Sequence, residues 1–93
     1  MIKTFANKET AAVFAGERPR RFALNGLPAA MRKMAQLDAI QSINELLVPP
    51  GNRLEKLSGD RQGQYSIRIN EQWRLCFRFV EGHVYDVEIV DYH

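Results

Sequence analysis

The chain has 93 residues, 45% apolar and 26% charged, a composition that suits one domain over residues 1–93 and excludes a second, substrate-binding domain. The lone Cys76 has no disulfide partner, and no apolar stretch approaches the roughly 20 residues of a membrane span or the apolar core of a signal peptide, so a soluble protein of the reducing cytoplasm is expected. Thirteen Lys and Arg against eleven Asp and Glu give +2, too mild to announce a nucleic-acid binder, but the basic charge is segregated: Lys3, Lys8, Arg18, Arg20, Arg21, Arg32 and Lys33 precede a net acidic remainder.

In chain order, Ile2 to Phe5 reads as a short strand, and Asn7 as the N-cap of a helix carrying Ala11, Val13 and Phe14. Gly16 ends it, and Glu17 to Arg21 forms a basic loop interrupted by Pro19. A second helix begins near Pro28, with Met31, Met34, Ala35 and Leu37 at helical spacing and Arg32 and Lys33 facing outward. Asp38 is placed as the cap of a continuation through Ile40, Ile43, Leu46 and Leu47, which Pro49, Pro50 and Gly51 terminate. The expectation is a helical hairpin or one kinked helix.

From Arg53 the apolar period changes to two, predicting strands at Leu54–Leu57, Gln64–Asn70, Gln72–Val80 and His83–Tyr92. The short breaks make the last three an antiparallel meander. Tyr65, Ile67 and Ile69, then Trp73, Leu75, Phe77 and Phe79, supply core rows. The opposite face is expected to present Arg68, Arg74 and Arg78 to solvent, and the final strand ends in Asp91, Tyr92 and His93.

Guanidinium forks match phosphate oxygens, so the arginines as a set suggest an anion site. Any one of them taken singly reads instead as a charge that solvates one side of a half-exposed sheet, pairing with Glu88 or Asp86. Phosphodiester cleavage in RNA needs a base for the 2′-hydroxyl, an acid for the leaving oxygen and cations for the charge on phosphorus. His93 is the group of the terminal triplet with a reference pKa near neutrality, about 6.5, although chain ends are often inert. Tyr92 either stacks on a base or packs under the sheet. Lys56 is a solvated edge-strand lysine by spacing alone. His83 reads as structural or exposed and Cys76 as a packed side chain, and together with His93 they fall short of a four-ligand zinc pattern. No metal or cofactor is expected.

The segments Pro49-Pro50-Gly51-Asn52-Arg53-Leu54-Glu55, Leu57-Ser58-Gly59-Asp60, Tyr65-Ser66-Ile67-Arg68, Gln72-Trp73-Arg74-Leu75-Cys76-Phe77 and Val87-Glu88-Ile89-Val90-Asp91-Tyr92-His93 together resemble the HigB toxin family, over essentially the full length. The resemblance implies a RelE-like α+β fold: an N-terminal strand and two to three helices packed on a curved, mainly antiparallel sheet. It implies a metal-independent, ribosome-dependent endoribonuclease, the toxin of a type II toxin-antitoxin system, that cuts mRNA in the decoding site and restrains translation and growth. Carried over to matching positions, it implies Arg74 as the phosphate-stabilising cation and Asp91, Tyr92 and His93 as the group that positions RNA and handles protons. Some relatives place a histidine and a lysine just before the Gly-Asp turn, where this chain has Glu55 and Ser58, so Lys56 substitutes as a cation only if it reaches the cleft.

The implied partners are a HigA-type helix-turn-helix antitoxin, which alone touches operator DNA, and the translating ribosome with its mRNA; no membrane is involved. Arg53, Arg68 and Arg78, with Arg18, Arg20, Arg21, Arg32 and Lys33, are candidate RNA contacts, the last five equally readable as a solvated loop and helix face. The rival reading, kept open by Glu55 and Ser58, is a protein that occupies a ribosomal site or disturbs ribosome assembly with little or no cleavage.

Overall fold

The computed structural model describes residues 1–22 and 26–91. Two α-helices, α1 (Lys8–Phe14) and α2 (Leu27–Ala39), precede four strands: β1 (Glu55–Lys56), β2 (Tyr65–Arg68), β3 (Trp73–Val80) and β4 (His83–Asp91). The strands form one antiparallel sheet in the order β1-β2-β3-β4, the α+β arrangement and meander expected. The polypeptide before α1 makes only two parallel bridges to β4, Ile2 with Val84 and Phe5 with Val87, so the N-terminal strand is reduced to isolated pairs. A bulge between Cys76 and Arg78, with Asp86 at φ 55° on the facing strand, interrupts the ladder there. Thr4 Oγ1 accepts the Asp86 N–H at 2.9 Å, and Thr10 Oγ1 on α1 accepts the Ile89 N–H at 3.1 Å. The β4 edge is thus covered by side chains where backbone pairing stops.

One face of the sheet carries the core. Ile67, Leu75, Phe77, Val84, Val87 and Ile89 pack with Val13 of α1 and Ala30, Met34 and Leu37 of α2. The α2 residues recur at helical spacing, and each fully buried Met or Leu contributes about 1.5–3 kcal/mol. Asn7 caps α1 as the sequence predicts, its Oδ1 accepting the Thr10 N–H at 2.8 Å.

Between α2 and β1 the structure departs from expectation. Asp38 is not a cap: it lies inside α2, and its Oδ1 accepts the Ile2 N–H at 2.8 Å. Ile40 is already extended, and the continuation is a separate 3₁₀ turn, Ile43–Leu47, capped by Ser42. The physical reason is that Ser42 has a glutamate three residues on: Glu45 Oε2 accepts the Gln41 and Ser42 N–H groups, each at 2.8 Å. Those bonds hold the Glu45 carboxyl below its ordinary pKa. A further 3₁₀ turn, Pro50–Asn52, delivers the chain to Arg53 in the left-handed region, φ 47° and ψ 57°.

Candidate functional site

The face of the sheet opposite the helices carries the arginines, on rows set by strand register. Arg68 on β2 faces Arg74 on β3, Ser66 faces Cys76, and Glu55 on β1 faces Ser66. Asn70 closes the β2–β3 turn, its Oδ1 accepting the Gln72 and Trp73 N–H groups at 2.9 and 2.8 Å. Arg68 Nε donates to the Asn70 carbonyl at 3.2 Å.

Arg74 does not stand in solvent as predicted; it is only 7% exposed. Its Nε donates to Ser66 Oγ at 3.0 Å and its Nη2 to the Arg53 carbonyl at 2.7 Å, with Glu55 Oε2 4.0 Å away. Desolvation is the reason: a guanidinium lies this deep only where acceptors replace water, and Ser66 and the Arg53 carbonyl do so. Arg53, Arg68, Asn70, Glu71 and Arg74 line an open cleft of about 260 Å³. Like charges facing each other across strands repel, so three guanidiniums on one cleft favour an anion that bridges them.

Arg53 is held from behind by a residue the sequence reading passed over. Asn52 is fully buried, and its Nδ2 donates to Gln36 Oε1 and the Leu46 carbonyl, each at 3.1 Å, and more weakly to the Val48 carbonyl. Its Oδ1 accepts from Lys33 Nζ. Lys33 therefore does not face outward with Arg32; it is half-buried against the 50–52 turn, and burial, then Arg32, lowers its pKa. A non-glycine residue in the left-handed region costs of order 1–3 kcal/mol, and such strain persists only where the surroundings fix it. At Arg53 the fixing element is Asn52. A polar residue after Pro-Pro-Gly signals a turn, but nothing local signals a buried hub.

The other predicted site residues scatter. Arg78 is not a free cation of the arginine face: its Nε lies 3.4 Å from Asp86 Oδ2, and it crosses Gly63, where an added Cβ would stand 2.8 Å from its Nη1. Arg61, from the loop before β2, pairs with Glu88 at 3.1 Å. These charges flank Cys76, whose thiol burial pushes to a higher pKa. Lys56 is exposed and lines a second cleft with Glu55, Leu57, Ser58, Asp60 and Arg61, outside the arginine cleft. Arg18, Arg20, Arg21 and Arg32 are exposed; Arg21 lies 5.7 Å over the Phe22 ring, which meets Trp73 edge-on at 5.3 Å. Asp91 faces Trp73 in register, one step from the Arg74 row, and accepts from Gln72 Nε2 at 3.4 Å. Tyr92 and His93 lie outside the described residues.

Helices on one face of a four-stranded antiparallel sheet and an arginine cleft on the other define the class, a RelE-like toxin fold. Solved structures agree: the YoeB-YefM complex from Staphylococcus aureus matches with a TM-score of 0.62 at 21% identity, over 100% of this chain and 95% of that one. A YafQ variant from E. coli matches with a TM-score of 0.62 at 16% identity, over 98% and 91% of the respective chains. The chain belongs to the HigB-like toxin family, described as the RelE-like toxin of the type II toxin-antitoxin system HigB, whose profile matches residues 3–93. It is 33% identical to Endoribonuclease HigB of Proteus vulgaris over 97 aligned positions covering all of both chains. It is 50% identical to Toxin HigB-1 of Vibrio cholerae serotype O1 over 54 residues, 58% of this chain and 57% of that protein.

Proposed function

We propose that this chain is a cytoplasmic endoribonuclease that cuts mRNA in the decoding site of the translating ribosome and is restrained by a helix-turn-helix antitoxin encoded beside it. The observation that carries the reading is the convergence of Arg53, Arg68 and Arg74 on one cleft. The scissile phosphate sits on these guanidiniums, which hold the charge developing on its oxygens. The 2′-oxygen forms a bond to phosphorus, the bond to the 5′-oxygen breaks, and a cyclic phosphate and a 5′-hydroxyl result. Glu55, which lines the neighbouring cleft but comes within 4.0 Å of Arg74 Nη2, takes the 2′-hydroxyl proton, and His93 returns one to the leaving oxygen. Tyr92 and Asp91 orient the nucleotide. The step balances with protein groups alone, and family membership together with the antitoxin complex among the structural neighbours supports the paired partner.

Primer extension on mRNA from purified translating ribosomes tests the reading with wild type, Arg74→Lys, Glu55→Gln and a chain lacking His93. Discrete cuts by wild type, reduced about a hundredfold or more in each variant, are expected. Growth arrest with no cut messages would overturn it in favour of a ribosome-occupying protein.

A further inference from the structure

We propose that Asn52 is a positioning residue for the arginine cleft, acting through Arg53 on Arg74. The inference deepens the nuclease reading and rests on it for the reaction served, but the placement itself is a property of the folded chain. Asn52 joins three parts of the fold that are distant in sequence. Its side chain bonds Gln36 and Lys33 on α2 and the Leu46 and Val48 carbonyls around the 43–47 turn. The adjacent backbone passes directly into the left-handed residue Arg53.

Arg53 then contributes twice. Its side chain lines the cleft, and its carbonyl receives Arg74 Nη2 at 2.7 Å. A left-handed backbone points the carbonyl and the side chain in directions that ordinary φ/ψ would not allow, so both depend on the chain being pinned one residue earlier. Arg74 is also gripped by Ser66 on the neighbouring strand. The Ser66 contact fixes the guanidinium from the sheet, and the Arg53 carbonyl fixes it from the loop. Without the loop contact, Arg74 keeps its charge, its strand position and its Ser66 contact, but its guanidinium plane is no longer fixed towards the cleft. Oxyanion stabilisation relies on donors set in place before the charge develops. The line from α2 through Asn52 and Arg53 supplies that setting.

The test uses the full chain, labelled with nitrogen-15, as wild type, Asn52→Asp and Lys33→Met. Asn52→Asp preserves shape and the acceptor for Lys33 but turns the three donated bonds into contacts between oxygens. Lys33→Met leaves Asn52 and its three donated bonds in place and removes only the bond to its Oδ1, so it carries the test should Asn52→Asp not fold. Hydrogen exchange at Arg74 Nε–H, a signal that general destabilisation moves only together with the neighbouring amides, reads the positioning. Asn52→Asp is expected to speed it about tenfold or more, and Lys33→Met by a smaller factor, while the Leu75 and Phe77 amides stay protected.

In parallel, cleavage on translating ribosomes should lose kcat with KM little changed in both variants. A folded variant whose Arg74 signal exchanges as in wild type overturns the positioning role. If exchange quickens but wild type itself cuts no message, positioning stands and the nuclease reading falls.

Discussion

Arg53 is where conformational cost and function meet at a single residue. Glycine would occupy φ 47° and ψ 57° without strain, yet the chain places there a side chain that lines the cleft. Arg53→Gly relieves the left-handed penalty and adds unfolded-state entropy of similar size, so stability should stay within about 1 kcal/mol of wild type in urea titrations. Binding of a short single-stranded oligoribonucleotide should weaken about tenfold or more, read by fluorescence anisotropy at low salt. Equal binding would remove Arg53 from the cleft's function. Cys76 offers a residue-scale test of burial. Its raised pKa means that the unfolded chain, with a thiol near 8.5, releases the proton first. The buried thiol's contribution is therefore present below that value and lost as pH climbs through the folded pKa. Between about pH 7 and pH 10 the urea midpoint of wild type should fall more than that of Cys76→Ala. Parallel curves would contradict the burial.

At the scale of elements, the strands and the first cap were legible because each rests on local chemistry: alternation for β2 to β4, and an asparagine one turn before an apolar set for α1. The segment between α2 and β1 was less legible because two capping signals compete there. Asp38 and Ser42 both precede apolar residues, and Ser42 prevails because Glu45 returns two backbone bonds. Those bonds depress the Glu45 pKa, so their contribution is complete above the unfolded value near 4.3 and disappears as pH falls through the folded one. Glu45→Gln should flatten that part of the acid-stability profile, followed by circular dichroism during acid titration. An unchanged slope would show that the turn forms without the carboxylate. The β-bulge at Asp86 was not readable from alternation, since it needs the pairing of two strands to show that β4 carries one residue more than β3 there; the pairing of Arg78 with Asp86, by contrast, is one of the two partners the sequence offered.

Across the whole molecule, part of the segregated positive charge is held to the helix-covered face of β3, the face opposite the arginine cleft. Arg18, Arg20 and Arg21 are exposed, and Phe22 anchors their segment on Trp73, the residue before Arg74. Charge reversal at Arg20 and Arg21 should weaken ribosome co-sedimentation and reduce the slope of log affinity against log salt by about one to two. An unchanged slope would assign those charges to solvent. By itself the sequence determined the class of fold, the arginine content of one sheet face and the family, because periodicity, turn residues and contiguous motifs are properties of neighbours along the chain. Only the tertiary structure decided which arginines meet, that Arg74 lies buried on Ser66 and the Arg53 carbonyl, and that Asn52 and Lys33 brace the loop behind them. Those contacts join residues far apart in sequence, and a buried polar group finds its acceptors only when distant segments have been packed together.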